Sequence, residues 1–452
     1  MIYYDVTDLI DFFRKTPRVT GIQRVSLATL ARFQALGVAS ELQPVAYHPR
    51  LRRLVTCDLG EFPTAAVSGA ELSACIGIRY KGPSALDSYL RRYKAGRRRT
   101  FHRVRLTVAN FFSRGRTFRR KCIAETRTGS SLAPIAWRPV AFTAQDVAIV
   151  PGGLQSRERL FAGLREARSQ QGVRLVQFIH DVLPISHPQF VPEGRAFAFA
   201  ELLLAANDSS QLIVTTSAFN DAEYRAEMAK RDRPAPPIKV IPLAHEFLED
   251  GAESAKPLYE RVSTPVLAAA RLPFVLCVGT REIRKNNFGL AQAWAQLEKK
   301  HGPALPRLIF AGRSGWMNED FDRFLQRSNA GNDTIRIVEN ASEQELAYLY
   351  KNCLFSVFPS FCEGWGLPIG ESLWFGRPVI TSKLTAMPEV ASGYADYVDP
   401  YDCNDIMEAV ERMLDPAYRQ KRVEAIKTMP LRRWSDFADD LLNSLRAFAG
   451  ER

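Results

Sequence analysis

Short apolar runs that stop on glycine, proline or a polar residue recur along the chain, and they restrict its fold more than any other feature. Residues 147–150 stop at Pro151-Gly152-Gly153, 174–179 at His180-Asp181, 212–216 at Ser217, and 239–242 close the first set. After residues 249–272, a stretch with Pro257 and Pro265 that reads as a link, the rhythm restarts. Residues 274–278 stop at Gly279-Thr280, 308–311 at Gly312, and 355–358 at Pro359-Ser360, with further runs at 335–338 and 378–381. Strands that read as unbroken apolar runs are covered on both faces, as in parallel sheets flanked by helices. The chain opens the same way: a strand over 2–6, a loop that ends in TGIQRV with Gly21, and helical spacing from Val25 to Leu36 stopped by Gly37. The prediction is an α/β protein of two nucleotide-fold halves. The halves are placed at 1–262 and 263–430, and an amphipathic helix in 431–452 is expected to pack back on the first.

Composition narrows the class. Of 452 residues, 46% are hydrophobic and 24% charged, which excludes disorder as the main state. No apolar run reaches the roughly 18–20 residues that span a bilayer. Asp5, Asp8 and Asp11 stand where a secretion signal would be basic and then apolar, so none is expected. Seven cysteines at 57, 75, 122, 277, 353, 362 and 403 form no CxxC pair, which argues against a zinc site or a disulfide framework and fits a reducing cytoplasm. The net charge of +12 is concentrated. Between Arg91 and Lys121 stand 13 Lys and Arg and no acid, leaving 48 basic against 49 acidic residues elsewhere. This run lies in a stretch, about 80–135, that breaks the α/β rhythm and reads as an insertion.

Two stretches carry chemistry. In Phe361-Cys362-Glu363-Gly364-Trp365-Gly366-Leu367-Pro368-Ile369-Gly370-Glu371 the chain leaves a strand and enters a helix. Pro368 suits the first turn, and Gly376 with Pro378 ends the helix after about two turns. The amides of Gly364, Trp365, Gly366 and Leu367 then lie free at a helix N-terminus, a site for an anion, and the glycines admit a ligand close to the backbone. Glu363 on the loop and Glu371 in the helix add carboxylates able to grip hydroxyls. The ligand implied is sugar-rich and phosphorylated. In the second stretch, Gly279-Thr280-Arg281-Glu282-Ile283-Arg284-Lys285, two adjacent cations follow a strand's C-terminal end, where open α/β sheets bind ligands. A departing diphosphate needs such charge.

With these runs the sequence resembles the retaining glycosyltransferases of family 4, which have the GT-B fold of two Rossmann-like domains facing across a cleft. The E-x(7)-E pattern of Glu363 and Glu371 lies within FPSFCEGWGLPIGESLWFGRPVITS, and GTREIRKN resembles the diphosphate loop. TGIQRV, FIHDVLP around His180, TTSAFN around Ser217 and VIPLAHEF follow in the expected order. The resemblance covers nearly the whole chain except the insertion. It implies a nucleotide-sugar donor, GDP-mannose being the best guess, held by 263–430, and no metal or other cofactor. The acceptor implied is a glycan or lipid-linked glycan in bacterial surface polysaccharide synthesis, which would receive mannose or another hexose or deoxyhexose with retained configuration. Glu371 would hold the ribose. Glu363 and the amides from Gly364 to Leu367 would hold the donor sugar and phosphate. Arg284 and Lys285 would neutralise the diphosphate, Gly21 and Gly279 would let backbone approach the donor, and His180 would contact the sugar near the reacting carbon. Glu371-Ser372-Leu373, where the family has Glu-Ala-Met, departs from the pattern.

Plainer roles compete. Arg284 and Lys285 read as surface charge and Glu363 and Glu371 as a solvated face when taken alone. His180 could cap a strand end, His187 and His245 read as structural, Trp365 as packing, and Ser217 as a helix cap ahead of Asn220. The basic run could bind nucleic acid, bind anionic lipid, or be a solvated insertion. Nothing else resembles a nucleic-acid module, and a lipid-linked acceptor calls for a membrane surface. The reading preferred is peripheral attachment at the inner face of the cytoplasmic membrane, without nucleic acid. The other functional classes are a nucleotide-sugar epimerase or glycan phosphorylase of the same fold, and a non-enzymatic scaffold.

Overall fold

A computed structural model describes residues 1–13, 21–48, 51–64, 75, 135–154, 158–248, 257–327 and 334–451. The basic run from Arg91 to Lys121, and with it nearly all of the expected insertion, lies outside the described residues. The chain divides into two compact units, residues 3–141 with Met1 and residues 142–452 with Ile2.

In the smaller unit, β1 (Ile2–Asp5) is buried throughout and Asp5 Oδ1 accepts from the Thr7 amide at 3.0 Å, opening the helix Thr7–Phe13. The next helix is Gly21–Ala35, so the loop expected up to Val25 is already helical at Gly21, whose φ is +41°. Polar Gln23 hides that first turn in the sequence, but Gln23 is buried and donates to Asp8 Oδ2 at 2.8 Å. Gly37, at φ +68°, ends this segment as the sequence indicates. Three strands absent from the sequence reading follow: β2 (Leu42–His48), β3 (Arg53–Thr56) and β4 (Arg138–Pro139), with β3 antiparallel to both neighbours.

The larger unit has two lobes, each built on a parallel sheet. The first carries β5 (Val147–Val150), β6 (Arg174–Ile179), β7 (Leu212–Thr215) and β8 (Ile238–Val240), paired parallel in that order. The second carries β9 (Phe274–Val278), β10 (Arg307–Ala311), β11 (Ile335–Val338), β12 (Ser356–Phe358), β13 (Val379–Ser382) and β14 (Asp396–Val398). Its spatial order is β11-β10-β9-β12-β13-β14 with every pair parallel, the doubly wound order in which the winding reverses between the first and fourth strands. Both faces of this sheet are covered. Val275, Cys277, Leu308 and Phe310 pack with Trp294 and Leu297 on one side, and Phe274, Leu276, Ile309 and Ala311 with Leu349 and Tyr350 on the other. Each Val, Leu, Ile or Phe among them contributes roughly 1.5–3 kcal/mol on burial, so the sheet is a rigid platform for the loops at its ends.

At the C-terminal edge of β9 and β10 the backbones touch. A Cβ on Gly312 would sit 1.9 Å from the Gly279 carbonyl oxygen, and Gly279 itself has φ +146°. Residues 257–272 of the expected link hold two short helices, Leu258–Arg261 and Thr264–Ala269. The last helix, Trp434–Gly450, packs on the first lobe: Phe437 lies edge-on to Phe178, and the Arg174 guanidinium donates to the carbonyls of Phe448, Ala449 and Glu451 at the helix end. A cation there complements the exposed carbonyls. The described cysteines are free thiols, and burial pushes those of Cys57, Cys277, Cys353 and Cys362 up to about 12. Among the described residues no helix is long and apolar enough to cross a membrane.

Candidate active site

The loops after β9 and β12 leave the sheet on either side of the point where its winding reverses, so the fold brings together the two stretches singled out in the sequence. Glu363 lies between the two cations, with Oε2 2.5 Å from Arg284 Nη1 and Oε1 2.5 Å from Lys285 Nζ. Arg284 also donates to Glu282 Oε1 at 2.8 Å and to the Cys362 carbonyl at 2.7 Å. The Lys285 ammonium stands 4.6 Å from the centre of the Phe358 ring. Two backbone bonds fix the loop: the Phe361 amide donates to the Arg284 carbonyl at 2.9 Å, and the Glu363 amide to Thr385 Oγ1 at 3.0 Å.

All three charged side chains are largely buried. Burial opposes ionisation of Glu363, but Arg284 and then Lys285 outweigh it and hold the carboxyl down at about 2. Burial likewise disfavours the Arg284 charge, and Glu363 with Glu282 reverses that, so its pKa is raised. Burial pushes the Asp181 carboxyl up, against the pull of Arg284. The sequence reading gave Arg284 and Lys285 to a bound diphosphate; in the structure the two cations already face two carboxylates, Glu363 against both and Glu282 against Arg284. Glu282 and Asp181, which it assigned no role, stood within the quoted runs GTREIRKN and FIHDVLP.

The helix Leu367–Trp374 begins where Pro368 and the glycines place it, with Gly366 as its N-cap at φ +108°. Among the described residues, no hydrogen bond takes up the amides of Gly364, Trp365, Gly366 or Leu367 as donors. Ser360 Oγ and Trp365 Nε1, both buried, also lack partners. The result is a row of unused donors beside a cluster of charge, a combination suited to an anion with several acceptor oxygens. Gly364 must be glycine for another reason: a Cβ there would lie 2.6 Å from both Asp181 Cβ and the His180 carbonyl oxygen.

Glu371 is buried in the helix, and its Oε2 accepts from the Tyr350 hydroxyl at 2.9 Å. Tyr350 had no sequence signal beyond the apolar spacing of its own helix. His180 Nε2 donates to the Pro151 carbonyl at 2.7 Å, and its ring packs 4.5 Å from Phe178, so the ring is fixed at the end of β6. Gly279 ends β9, with Lys285 methylenes 3.7 Å from where its Cβ would stand. Gly21 opens a helix of the smaller unit, with open space where a Cβ would be. Ser217 caps the helix Ala218–Ala229, accepting from the Asn220 amide at 3.1 Å as its spacing indicated. His245 is structural: Nδ1 accepts from the Arg432 amide, Nε2 donates to the Val390 carbonyl, and burial lowers its pKa. Among the described residues no three His, Cys, Asp or Glu side chains are grouped as metal ligands.

Residues 264–429 match the family described as glycosyl transferases group 1. O-antigen chain mannosyltransferase B of Escherichia coli is 30% identical over 55% of this chain, and the match spans 63% of that protein. Serotype-specific mannosyltransferase WbdA, also of Escherichia coli, is 26% identical over 60% of this chain and 33% of its own length. The matched region is thus less than two thirds of either relative. Among solved structures, Anabaena HepE in complex with UDP and glucose superposes with a TM-score of 0.57 at 12% identity, over 99% of each chain. The structure of trehalose-6-phosphate from Escherichia coli bound with UDP-2-fluoro glucose gives 0.56 at 12% identity, again over 99% of each chain. These likenesses bear on the fold, which is that of the GT-B structures, as expected from the sequence.

Proposed function

We propose, from the match of residues 264–429 to the glycosyl transferases group 1 family, that the chain transfers a hexose, with mannose as first choice, from a nucleotide sugar to a glycan or lipid-linked glycan. The observation that carries this reading is the placement of Arg284, Lys285 and Glu363 beside the unused amides of Gly364 to Leu367 at the winding reversal of the second sheet. The names of the relatives support mannose as donor sugar and O-antigen as product class.

In this reading the donor diphosphate occupies the amide row, and its charge is met by Arg284 and Lys285. Glu363 orients the lysine and arginine and faces the donor sugar. Glu371 reaches the ribose, and Tyr350 holds its carboxylate in place. As the sugar–phosphate bond lengthens, negative charge grows on the leaving diphosphate, and preset cations and amides stabilise it with no reorganisation. The acceptor attacks from the same face and gives its proton to the leaving phosphate, so configuration is retained, and positioning supplies the rest of the acceleration. No step calls on a divalent metal. The 13 basic residues between Arg91 and Lys121 support attachment to an anionic inner leaflet, at about 1 kcal/mol for each that comes near it.

A thermal-shift screen over nucleotide sugars, followed by NMR of the product anomer, tests this reading. GDP-mannose is expected to give the largest shift and an α-linked product, with turnover unchanged in EDTA. Binding without transfer or hydrolysis would leave a non-enzymatic scaffold. Chelator-sensitive, metal-restored turnover would give the electrostatic role to a cation instead. Co-sedimentation with anionic and neutral vesicles at two salt concentrations tests the membrane role.

A further inference from the structure

The TTSAFN run of the first lobe meets the anion loop of the second lobe at one atom. The Gly364 carbonyl oxygen accepts from Asn220 Nδ2 at 2.7 Å, Thr216 Oγ1 at 3.0 Å and Ser217 Oγ at 3.2 Å. All three donor residues are at most 2% exposed. The orientation of the Asn220 amide follows from its surroundings. Its nitrogen also lies 2.8 Å from the His180 carbonyl, and an oxygen in that place would face two other oxygens. Its own Oδ1 is left buried without a partner, so the side chain is arranged for what its nitrogen holds.

A carbonyl oxygen has two lone pairs, and three donors converge on this one. The Gly364–Trp365 peptide is trans, since no cis bond occurs among the described residues. The Trp365 amide therefore projects from the opposite edge of the same plane, away from Thr216, Ser217 and Asn220. It is one of the unused donors of the anion row. Hydrogen bonds along one peptide are cooperative: loading the carbonyl polarises the unit and strengthens its N–H as a donor. The contact between lobes is reinforced next to it. The Glu389 carboxylate, from the second lobe, accepts from the amides of Ala218 and Phe219 at 2.7 and 2.8 Å, at the start of the helix that carries Asn220.

We propose that Asn220, with Thr216 and Ser217, is a positioning group that fixes and polarises the Gly364–Trp365 peptide so that the Trp365 amide is presented to the donor diphosphate. The inference rests on the glycosyltransferase reading above and extends it: the first lobe contributes to diphosphate binding without touching the diphosphate. Affinity for the phosphates then depends on the lobes being joined at Gly364, whereas affinity for the nucleoside does not.

Wild type, Asn220→Ala, Thr216→Val and Thr216→Ser are titrated with GDP, UDP and ADP, and with guanosine, uridine and adenosine, beside a melting curve for each protein. Thr216→Val is expected to weaken the diphosphate that wild type binds by about two- to threefold, since it removes one of three donors that polarise the peptide and no contact with the ligand itself, and Asn220→Ala by more. Affinity for the matching nucleoside is expected to stay unchanged, and Thr216→Ser, which keeps the hydroxyl, to bind as wild type does. Equal weakening of nucleoside and diphosphate, or undiminished diphosphate binding in a folded Thr216→Val protein, would overturn the proposal. If Asn220→Ala does not fold, the Thr216 pair decides. Failure of wild type to bind any of the three diphosphates would instead remove the glycosyltransferase reading, and the proposal with it.

Discussion

Around Gly364 the first lobe presents Thr216, Ser217 and Asn220, all uncharged and all hydrogen-bonded to backbone carbonyls. The second lobe presents Arg284, Lys285, Glu282 and Glu363, all ionisable and bonded to one another. The two sets respond differently to loss of a member. A neutral donor cut from a carbonyl forfeits about 1 kcal/mol net, because the carbonyl keeps other partners. One charge cut from a buried ionic cluster leaves its partner uncompensated, at about 3–5 kcal/mol. The neutral side therefore tunes the site, and the ionic side decides whether it works.

The largest effect is expected where the ionic side loses a cation. Arg284→Ala and Lys285→Ala should each lower kcat on the order of 10²–10³-fold, measured as initial rates at saturating donor. A loss under tenfold would erase the distinction between the two sides. Next, Glu363→Ala should mainly lower kcat, whereas Glu371→Ala, on the helix and bonded to Tyr350, should mainly raise KM for the donor. Steady-state kinetics with varied donor separates the two, and identical profiles would place both glutamates in one role.

Acid titration sharpens the comparison further. Glu363 is held at about 2 against an ordinary 4.5, so its contribution to stability is complete above about 4.5 and is lost as pH falls to about 2. Denaturation curves across that window should be steeper in wild type than in Glu363→Gln. The smallest effect concerns Asp181, whose pKa is raised, so that its ionised form costs stability at neutral pH. Asp181→Asn keeps an oxygen for the Leu183 amide and should raise Tm at pH 7, with the gain shrinking as pH falls through the raised pKa and wild-type Asp181 also becomes neutral. A gain independent of pH would point to packing instead.

The parallel strands were legible because burial on both faces gives unbroken apolar runs with sharp ends. β2, β3 and β4 were not. They form an antiparallel group in which Pro44, Arg53 and Arg138 interrupt the pattern, and the two exposed residues of β4 are held by pairing with β3 and by the Arg138–Asp58 ion pair. In the site, glycines and paired charges at strand ends marked the Glu363 and Arg284 loops, which the fold brings side by side. Their pairing was hidden, since 78 positions separate Lys285 from Glu363 and only the sheet order brings them together. The donors on Gly364 were hidden more deeply. Thr, Ser and Asn after a strand are ordinary capping residues, and the carbonyl they hold belongs to a glycine as many as 148 positions away.

The close approach of Gly312 to Gly279 bears on how freely the sequence can drift. A Cβ at residue 312 would fall 1.9 Å from the Gly279 carbonyl oxygen, and no rotamer can relieve a clash made by the first carbon of a side chain. In a saturation library this position should tolerate glycine alone, even though it is neither charged nor polar and lies outside the anion loop. Any other residue would have to push apart the ends of β9 and β10, and the segment bearing Arg284 and Lys285 would move with them. A screen that scored only folded yield would undercount the damage, because a displacement of an ångström can leave the lobe intact and still cost on the order of 10² in turnover.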